Sequence, residues 1–153
     1  MHVFRGISAL LLAVGALAVT ATSASALPIG IPPARTLCGG GGFGGGTVAA
    51  YFDPARNLDG TTTIWIRPEF TFVPTVPGGY CSVDVTLYWR NNDTNAIGTA
   101  AASPVSVGDN TATGENTDGQ WVPITIDAGH GRLEVLLATN FLHVPGKGTF
   151  IDA

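Results

Sequence analysis

Few residues of the chain have the types and spacing that catalysis requires. Beyond residue 26 there are two histidines and three serines, none in a GxSxG or HExxH motif. A Ser-His-Asp triad is recognised by geometry, which these scattered positions do not supply. We therefore predict no catalytic site and no enzyme, and a small secreted hydrolase remains only an alternative. The serines and histidines considered are Ser82, Ser103, Ser106, His130 and His143.

Carboxylate and amide side chains are the next group that could do chemistry, because calcium prefers oxygen ligands. The weaker of two such groups consists of Asp53, Asn57 and Asp59, before Gly60, and it lacks the closing Glu of a calcium loop. Acidic, Asn-rich loops are also typical of solvated turns. We predict no metal and no cofactor, and one long loop holds the best calcium candidates. They are Asp109, Glu115, Asn116 and Asp118.

Three aromatic residues alternate with the aliphatic positions of their predicted strands. Trp65, Tyr80 and Tyr88 would point to the side opposite the aliphatic face. Such residues could form a binding patch, or a second sheet could cover them. We expect them to be covered, because large aromatic side chains are more often buried than displayed.

Residues 1–26 have the three parts of a secretory signal peptide. Arg5 gives a positive start, residues 7–19 are apolar, and the small-residue triplet Ala24-Ser25-Ala26 suits signal peptidase. Thirteen apolar residues are too few for the ~20 that a membrane-spanning helix needs. The Ala-rich composition has a bacterial character. We predict cleavage after Ala26, a location outside the cell or in its envelope, and no stable membrane insertion afterwards.

The charge balance excludes some partners. Without Arg5, six basic residues face eleven acidic ones, so the mature chain carries a net charge of −5. An acidic chain with scattered cations repels phosphate backbones and anionic membrane surfaces. We therefore expect an extracellular or envelope partner and no nucleic acid.

The two cysteines predict one disulfide. An exported protein with an even cysteine count usually pairs them, and Cys38 and Cys81 enclose a loop of about 44 residues. Cys38 lies twelve residues past the cleavage site, too far for a lipid-modified cysteine. We expect the two Cα atoms to lie about 5.5–6 Å apart.

Alternation with a period of two dominates the chain from Thr47 onward. In residues 80–90, Cys81 and four apolar residues share one parity, as in a half-buried strand. Pro68 interrupts another such run and suggests a bulge or an edge position. Residues 132–142 fit either a strand or a short helix.

These strands predict an all-β fold, an antiparallel β-sandwich that is immunoglobulin-like in scale, with seven or eight short strands. Residues 47–153 would form this domain. Residues 27–46 contain Pro32-Pro33 and seven glycines in GGGGFGGG. We interpret them as a Pro/Gly-rich arm and flexible tether, joined to the domain at Cys38.

The features together predict a binding, adhesion or envelope-associated module of unknown ligand. A secreted small-ligand carrier or self-protection protein is the alternative. In size and acidity the chain resembles the small apoproteins that actinobacteria secrete around reactive antibiotics, which use an immunoglobulin-like sandwich with two disulfides. This chain can form only one.

The exported protein should begin at Leu27, because signal peptidase cleaves after the Ala24-Ser25-Ala26 triplet. Intact-mass measurement of the exported species should show the loss of residues 1–26. A membrane-bound species that retains these residues would contradict the prediction.

Overall fold

The computed structural model of the protein describes residues 27–56, 61–107 and 116–152. The predicted signal peptide lies outside these residues, and so do Asn57, Asp59, Asp109 and Glu115. For residues 116–118 only the backbone is described.

The fold is all-β, with antiparallel sheets in two layers. A 3-10 turn, Pro54–Arg56, follows the second strand. The strands are β1 (Ile29–Gly40), β2 (Gly42–Phe52), β3 (Thr62–Pro74), β4 (Tyr80–Ser82), β5 (Val85–Asn91), β6 (Ile97–Ala102), β7 (Val105–Val107), β8 (Asn116–Asp118), β9 (Val122–Ile126), β10 (Gly131–Thr139), β11 (His143–Val144) and β12 (Gly146–Asp152).

The larger layer is an eight-stranded sheet with the order β7-β4-β1-β2-β3-β8, in which β11 also pairs with β1 and β9 with β3. The smaller layer has the order β12-β10-β5-β6. Side chains alternate along the strands, and the inward ones form one apolar core. Its largest fully buried members are Phe52, Phe70, Ile64, Ile66, Leu87, Leu133 and Leu137.

The interpretation of residues 27–46 as an unpacked arm is wrong. This segment forms β1 and the first half of β2, and β1 pairs with β2 along most of its length. Ile31, Ala34 and Cys38 on β1 are buried in the core. Pro32 and Pro33 coincide with an irregularity in the β1–β2 register, where a missing N–H donor is tolerated.

The glycine run forms a strand that packs closely against β3. The β3 backbone leaves no room for side chains at Gly44 and Gly46. A Cβ atom added to Gly46 would lie 2.1 Å from the backbone oxygen of Glu69 on β3. At Gly44 it would lie 2.2 Å from the oxygen of Thr71. Real Cβ atoms do not come this close to an oxygen, so the glycines permit the approach of β3 rather than making a tether.

The alternating run at residues 80–90 changes sheet partway. Its inward parity holds through Cys81, Val83, Val85 and Leu87, all buried. The chain nevertheless leaves the eight-stranded sheet after β4 and enters the four-stranded sheet at β5. Asp84 lies at the crossing, where its backbone N–H donates to Asn140 Oδ1 at 3.0 Å.

Pro68 shows neither a bulge nor a break in the β2–β3 register, which runs without a shift. Its carbonyl accepts a hydrogen bond from the N–H of Gly119, on the side away from β2. On that side β9 pairs with β3 up to Ile66, and β8 pairs from Glu69 onward. The proline therefore occupies a gap between two partner strands, where no N–H donor is needed.

The alternatives at residues 132–142 are resolved in favour of a strand. β10 spans Gly131–Thr139 and pairs with both β5 and β12. Leu133, Val135 and Leu137 are fully buried on one parity. The short-helix alternative is wrong because strands on both sides take up the backbone hydrogen-bonding groups of this segment.

Buried polar contacts tie the two layers together. Thr62 on β3 donates to Asp152 on β12, and both residues are buried. The hydroxyl oxygens of Thr36 and Thr139 lie 2.7 Å apart, joining β1 to β10. Buried polar groups of this kind are stable because each finds a partner.

Asn91 organises the loops at one end of β5. Its side chain is fully buried. Its Nδ2 donates to the carbonyls of Ala128 and His130, both at 2.9 Å. Its Oδ1 accepts from the N–H groups of Asp93 and Thr94, at 2.9 and 3.2 Å. The amide thus uses two donor and two acceptor sites, which ties the β5–β6 turn to the loop before β10.

The predicted disulfide between Cys38 and Cys81 is confirmed, with a Cα–Cα distance of 5.4 Å. Both cysteines are fully buried. The bond joins β1 to β4, which are neighbouring strands of the eight-stranded sheet. The disulfide therefore links two strands of one sheet, and it does not attach a flexible arm to the domain.

Gly46→Ala should lower the free energy of unfolding by about 2–3 kcal/mol, because its methyl group would collide with the β3 backbone. Gly30→Ala is the matched control, since nothing lies within 4 Å of the added methyl group. It should change stability by less than about 1 kcal/mol. Urea unfolding followed by tryptophan fluorescence measures both variants. Equal stabilities would contradict the close approach of β3.

Replacing both Cys38 and Cys81 by alanine should destabilise the exported protein by about 2–4 kcal/mol, because the unfolded chain gains the entropy of an open loop. Strand content, measured by circular dichroism, should persist because the core extends over both sheets. Titration of unfolded, unreduced wild-type protein should find no free thiol. Two titratable thiols would show that the pairing is wrong.

Candidate functional site

The three aromatic residues proposed as a patch are not assembled into one. Trp65 lies on β3, Tyr80 on β4, and Tyr88 on β5 in the other sheet. Tyr80 is 44% exposed and Tyr88 47% exposed, so the expectation that they are covered is wrong for these two. Trp65 is only partly exposed, and it is the member that belongs to a larger group.

Trp65 joins two aromatic residues that the sequence did not single out. The rings of Tyr51 and Trp65 are near parallel, with centroids 6.5 Å apart. The rings of Tyr51 and Trp121 meet edge to face, with centroids 4.7 Å apart. Aromatic pairs favour both geometries because of the ring quadrupole.

Two arginines flank this aromatic group. The guanidinium carbon of Arg56 lies 5.3 Å from the ring centroid of Trp65. That of Arg67 lies 4.8 Å from the ring centroid of Trp121. Both distances are within the range of cation–π attraction. The five residues thus form a continuous series, Arg56–Trp65–Tyr51–Trp121–Arg67, which we call the aromatic–arginine cluster.

Strand register places the cluster on the outer face of the eight-stranded sheet. Tyr51 on β2 is directly opposite Trp65 on β3, and Trp65 is opposite Pro123 on β9. Arg67 is two residues beyond Trp65 and therefore on the same face. Trp121 immediately precedes β9. The outward parity of Trp65 and Arg67 was readable in the sequence, but the partners on β2 and beside β9 were not.

Carboxylates balance both arginines of the cluster. Arg56 Nε lies 3.2 Å from Asp53 Oδ2. Arg67 donates to Glu69 at 2.6 Å, and Glu69 also accepts from the Thr47 hydroxyl at 3.1 Å. Each guanidinium therefore has a carboxylate beside it, and the local charge is nearly neutral.

The cluster is exposed at its rim and tightly packed at its centre. Trp121 is 37% exposed and the Arg56 side chain 58% exposed. The indole Nε1 of Trp65 is buried and has no hydrogen-bond partner among the residues that the structure describes. An unpaired buried donor is costly, so the ring contacts around Trp65 must offset that cost. The exposed ring of Trp121 and the two guanidinium groups are what an approaching ligand would meet.

A second feature of the outer face is a groove beside β1. Leu37 and Val144 line it together with the backbone of Gly45 and Gly46, and Arg35 lies at its side. Its volume is about 490 Å³, and it opens broadly to solvent. This volume is within the ~300–1,000 Å³ typical of small-ligand sites.

The candidate catalytic residues are engaged separately. Ser82 donates to the carbonyl of Gly39 at 3.2 Å, and Ser103 donates to Asp84 at 2.6 Å. His143 Nδ1 lies 2.8 Å from the carbonyl oxygen of Phe141. None of these contacts joins a serine to a histidine.

The one carboxyl with a clearly displaced pKa, among those the structure describes, also lies away from the cluster. Lys147 donates a hydrogen bond to Glu134 and adds positive charge beside it, which lowers the pKa of that carboxyl. Lys147 Nζ and Glu134 Oε1 are 2.5 Å apart, on β12 and β10 of the four-stranded sheet. The pair is an exposed ion pair and suggests no acid–base catalysis.

The expectation that the protein holds no metal stays a prediction. Of the weak calcium candidates, Asp109 and Glu115 lie outside the described residues, and Asn116 and Asp118 contribute backbone pairing to β3. Asp53, from the weaker group, instead accepts from the N–H of Ala55 at 3.1 Å. The described part of the chain has no group of three or more His, Cys, Asp or Glu side chains that could hold a metal ion.

The chain matches no protein-family model, no curated protein and no solved structure. Within residues 27–56, 61–107 and 116–152, no helix has the length and apolar character needed to cross a membrane.

Proposed function

We propose that the protein is an exported β-sandwich, immunoglobulin-like in scale, that works as a binding or envelope-associated module. Its ligand contacts the outer face of the eight-stranded sheet. The observation that supports this most is the aromatic–arginine cluster, because five large side chains are ordered by mutual contacts on a face that points away from the core. Aromatic and arginine side chains are the types that dominate binding energy at protein surfaces.

The chemistry of the cluster favours an uncharged polyhydroxylated ligand, such as an envelope polysaccharide. An exposed indole offers an apolar ring face, and a guanidinium–carboxylate pair offers fixed donors and acceptors for hydroxyl groups. Asp53 and Glu69 already neutralise Arg56 and Arg67. Little cationic charge is left to attract a polyanion, and the mature chain itself is acidic.

Export is consistent with the buried Cys38–Cys81 disulfide, since such bonds persist in oxidising compartments. A module that works outside the cell meets envelope polymers directly. The hydrolase alternative has no supporting contact among Ser82, Ser103 and His143.

Trp121→Ala should weaken binding to insoluble envelope polysaccharide by about tenfold, because an aromatic anchor at a binding site is worth 1–2 kcal/mol or more. Tyr88→Ala is the matched control, since Tyr88 is a similarly exposed aromatic residue on the other sheet. It should change binding by less than about twofold.

The measurement is co-sedimentation of purified residues 27–153 with washed cell-wall polysaccharide and, separately, with cellulose. Melting temperatures establish that both variants are folded. Equal losses in the two variants, or the absence of binding by the wild-type protein to either polymer, would contradict the proposal.

A further inference from the structure

Apolar side chains that line the groove beside β1 are exposed to solvent. Leu142 is 82% exposed and Val144 64% exposed, and both face the groove from the segment next to β1. Leu37 on β1 lines the groove as well, and its N–H donates to the carbonyl of Leu142 at 3.2 Å. Contiguous exposed apolar side chains around a concavity are typical of a binding site rather than of an ordinary surface.

Glycine backbone forms the floor of the groove. Gly45 on β2 is opposite Leu37 on β1, and a Cβ atom at this position would lie 3.3 Å from Leu37 Cδ2. Because Gly45 has no side chain, Leu37 can lie over β2, and nothing projects from Gly45 into the groove. An extended apolar chain could therefore lie along the walls with close contact to the backbone.

One cation stands beside these apolar walls. Arg35 on β1 is opposite Val144 on β11 and lines the groove. Within residues 27–56, 61–107 and 116–152, no carboxylate forms an ion pair with Arg35, whereas Arg56 and Arg67 have acidic partners. The chain as a whole is acidic, with a net charge of −4, and a guanidinium without a described carboxylate partner at an apolar groove is complementary to an anion.

We propose that this groove binds a single-chain amphiphile with a carboxylate head group. Its alkyl chain lies against Leu37, Leu142 and Val144, and its carboxylate pairs with the Arg35 guanidinium. The planar fork of arginine matches one carboxylate through two parallel hydrogen bonds. A head group with two negative charges would leave one uncompensated beside an already acidic protein. This inference is independent of the ligand proposed for the aromatic–arginine cluster, and it gives the carrier alternative a specific site.

Calorimetric titration of residues 27–153, with the disulfide intact, tests the head group and the chain separately. The probes are sodium decanoate, decyltrimethylammonium with the same chain length, and acetate, all below their micelle-forming concentrations. Decanoate should bind at one site per protein. Acetate lacks the chain and should not bind measurably, and decyltrimethylammonium should not bind because its head group is repelled by Arg35.

Matched variants distinguish the groove from general electrostatic attraction. Arg35→Gln should weaken decanoate binding by about tenfold. Arg132→Gln, which removes the same charge from an exposed position on β10, should change it by less than about twofold. Leu142→Asn should weaken binding severalfold, and Ile151→Asn, at an exposed apolar position on β12, should not. Unchanged melting temperatures would show that all four variants are folded.

Specific results would overturn the inference. They are failure of decanoate to bind, equal binding of decyltrimethylammonium, and equal effects of Arg35→Gln and Arg132→Gln. Loss of polysaccharide binding in Trp121→Ala with decanoate binding retained would support two separate sites. If the wild-type protein binds polysaccharide but not decanoate, the amphiphile inference is wrong and the proposed function is unaffected.

Discussion

The close approach of β3 to the glycine-rich half of β2 is the constraint on which the rest of the structure depends. Gly44 and Gly46 allow the β3 backbone into space that a side chain would fill. With β3 held there, the register runs without a shift to the far end of β2, where it sets Tyr51 opposite Trp65. On the other side of β2, the bare backbone at Gly45 makes the floor of the groove beside β1. Both candidate binding features therefore derive from one low-complexity run.

The two layers are held by a mixture of apolar burial and a few satisfied polar contacts. The core supplies most of the stability, because apolar side chains from both sheets leave water together. The Thr62–Asp152 and Thr36–Thr139 contacts add partners for polar groups that would otherwise be costly to bury. The disulfide acts within one layer, where it fixes β4 beside β1 just before the chain crosses to the other sheet. Strand order and sheet crossing are thus fixed at the same place.

The outer face of the eight-stranded sheet combines two kinds of chemistry. At one place, charges are compensated and aromatic rings are ordered by guanidinium groups, which suits an uncharged ligand with hydroxyl groups. At another, apolar walls meet a guanidinium without an ion-pair partner in the described chain, which suits an anionic head group on an alkyl chain.

The sequence by itself determined the all-β class, the inward parity of residues such as Val85, Leu87, Ile64 and Ile66, and the pairing of Cys38 with Cys81. These follow from local alternation and from a cysteine count of two, which need no knowledge of neighbours. Only the tertiary structure decided that the glycine run is a strand, because that depends on how closely β3 approaches. It also decided which outward residues meet: Tyr51, Trp65 and Trp121 are distant in sequence, and strand pairing alone brings their rings together.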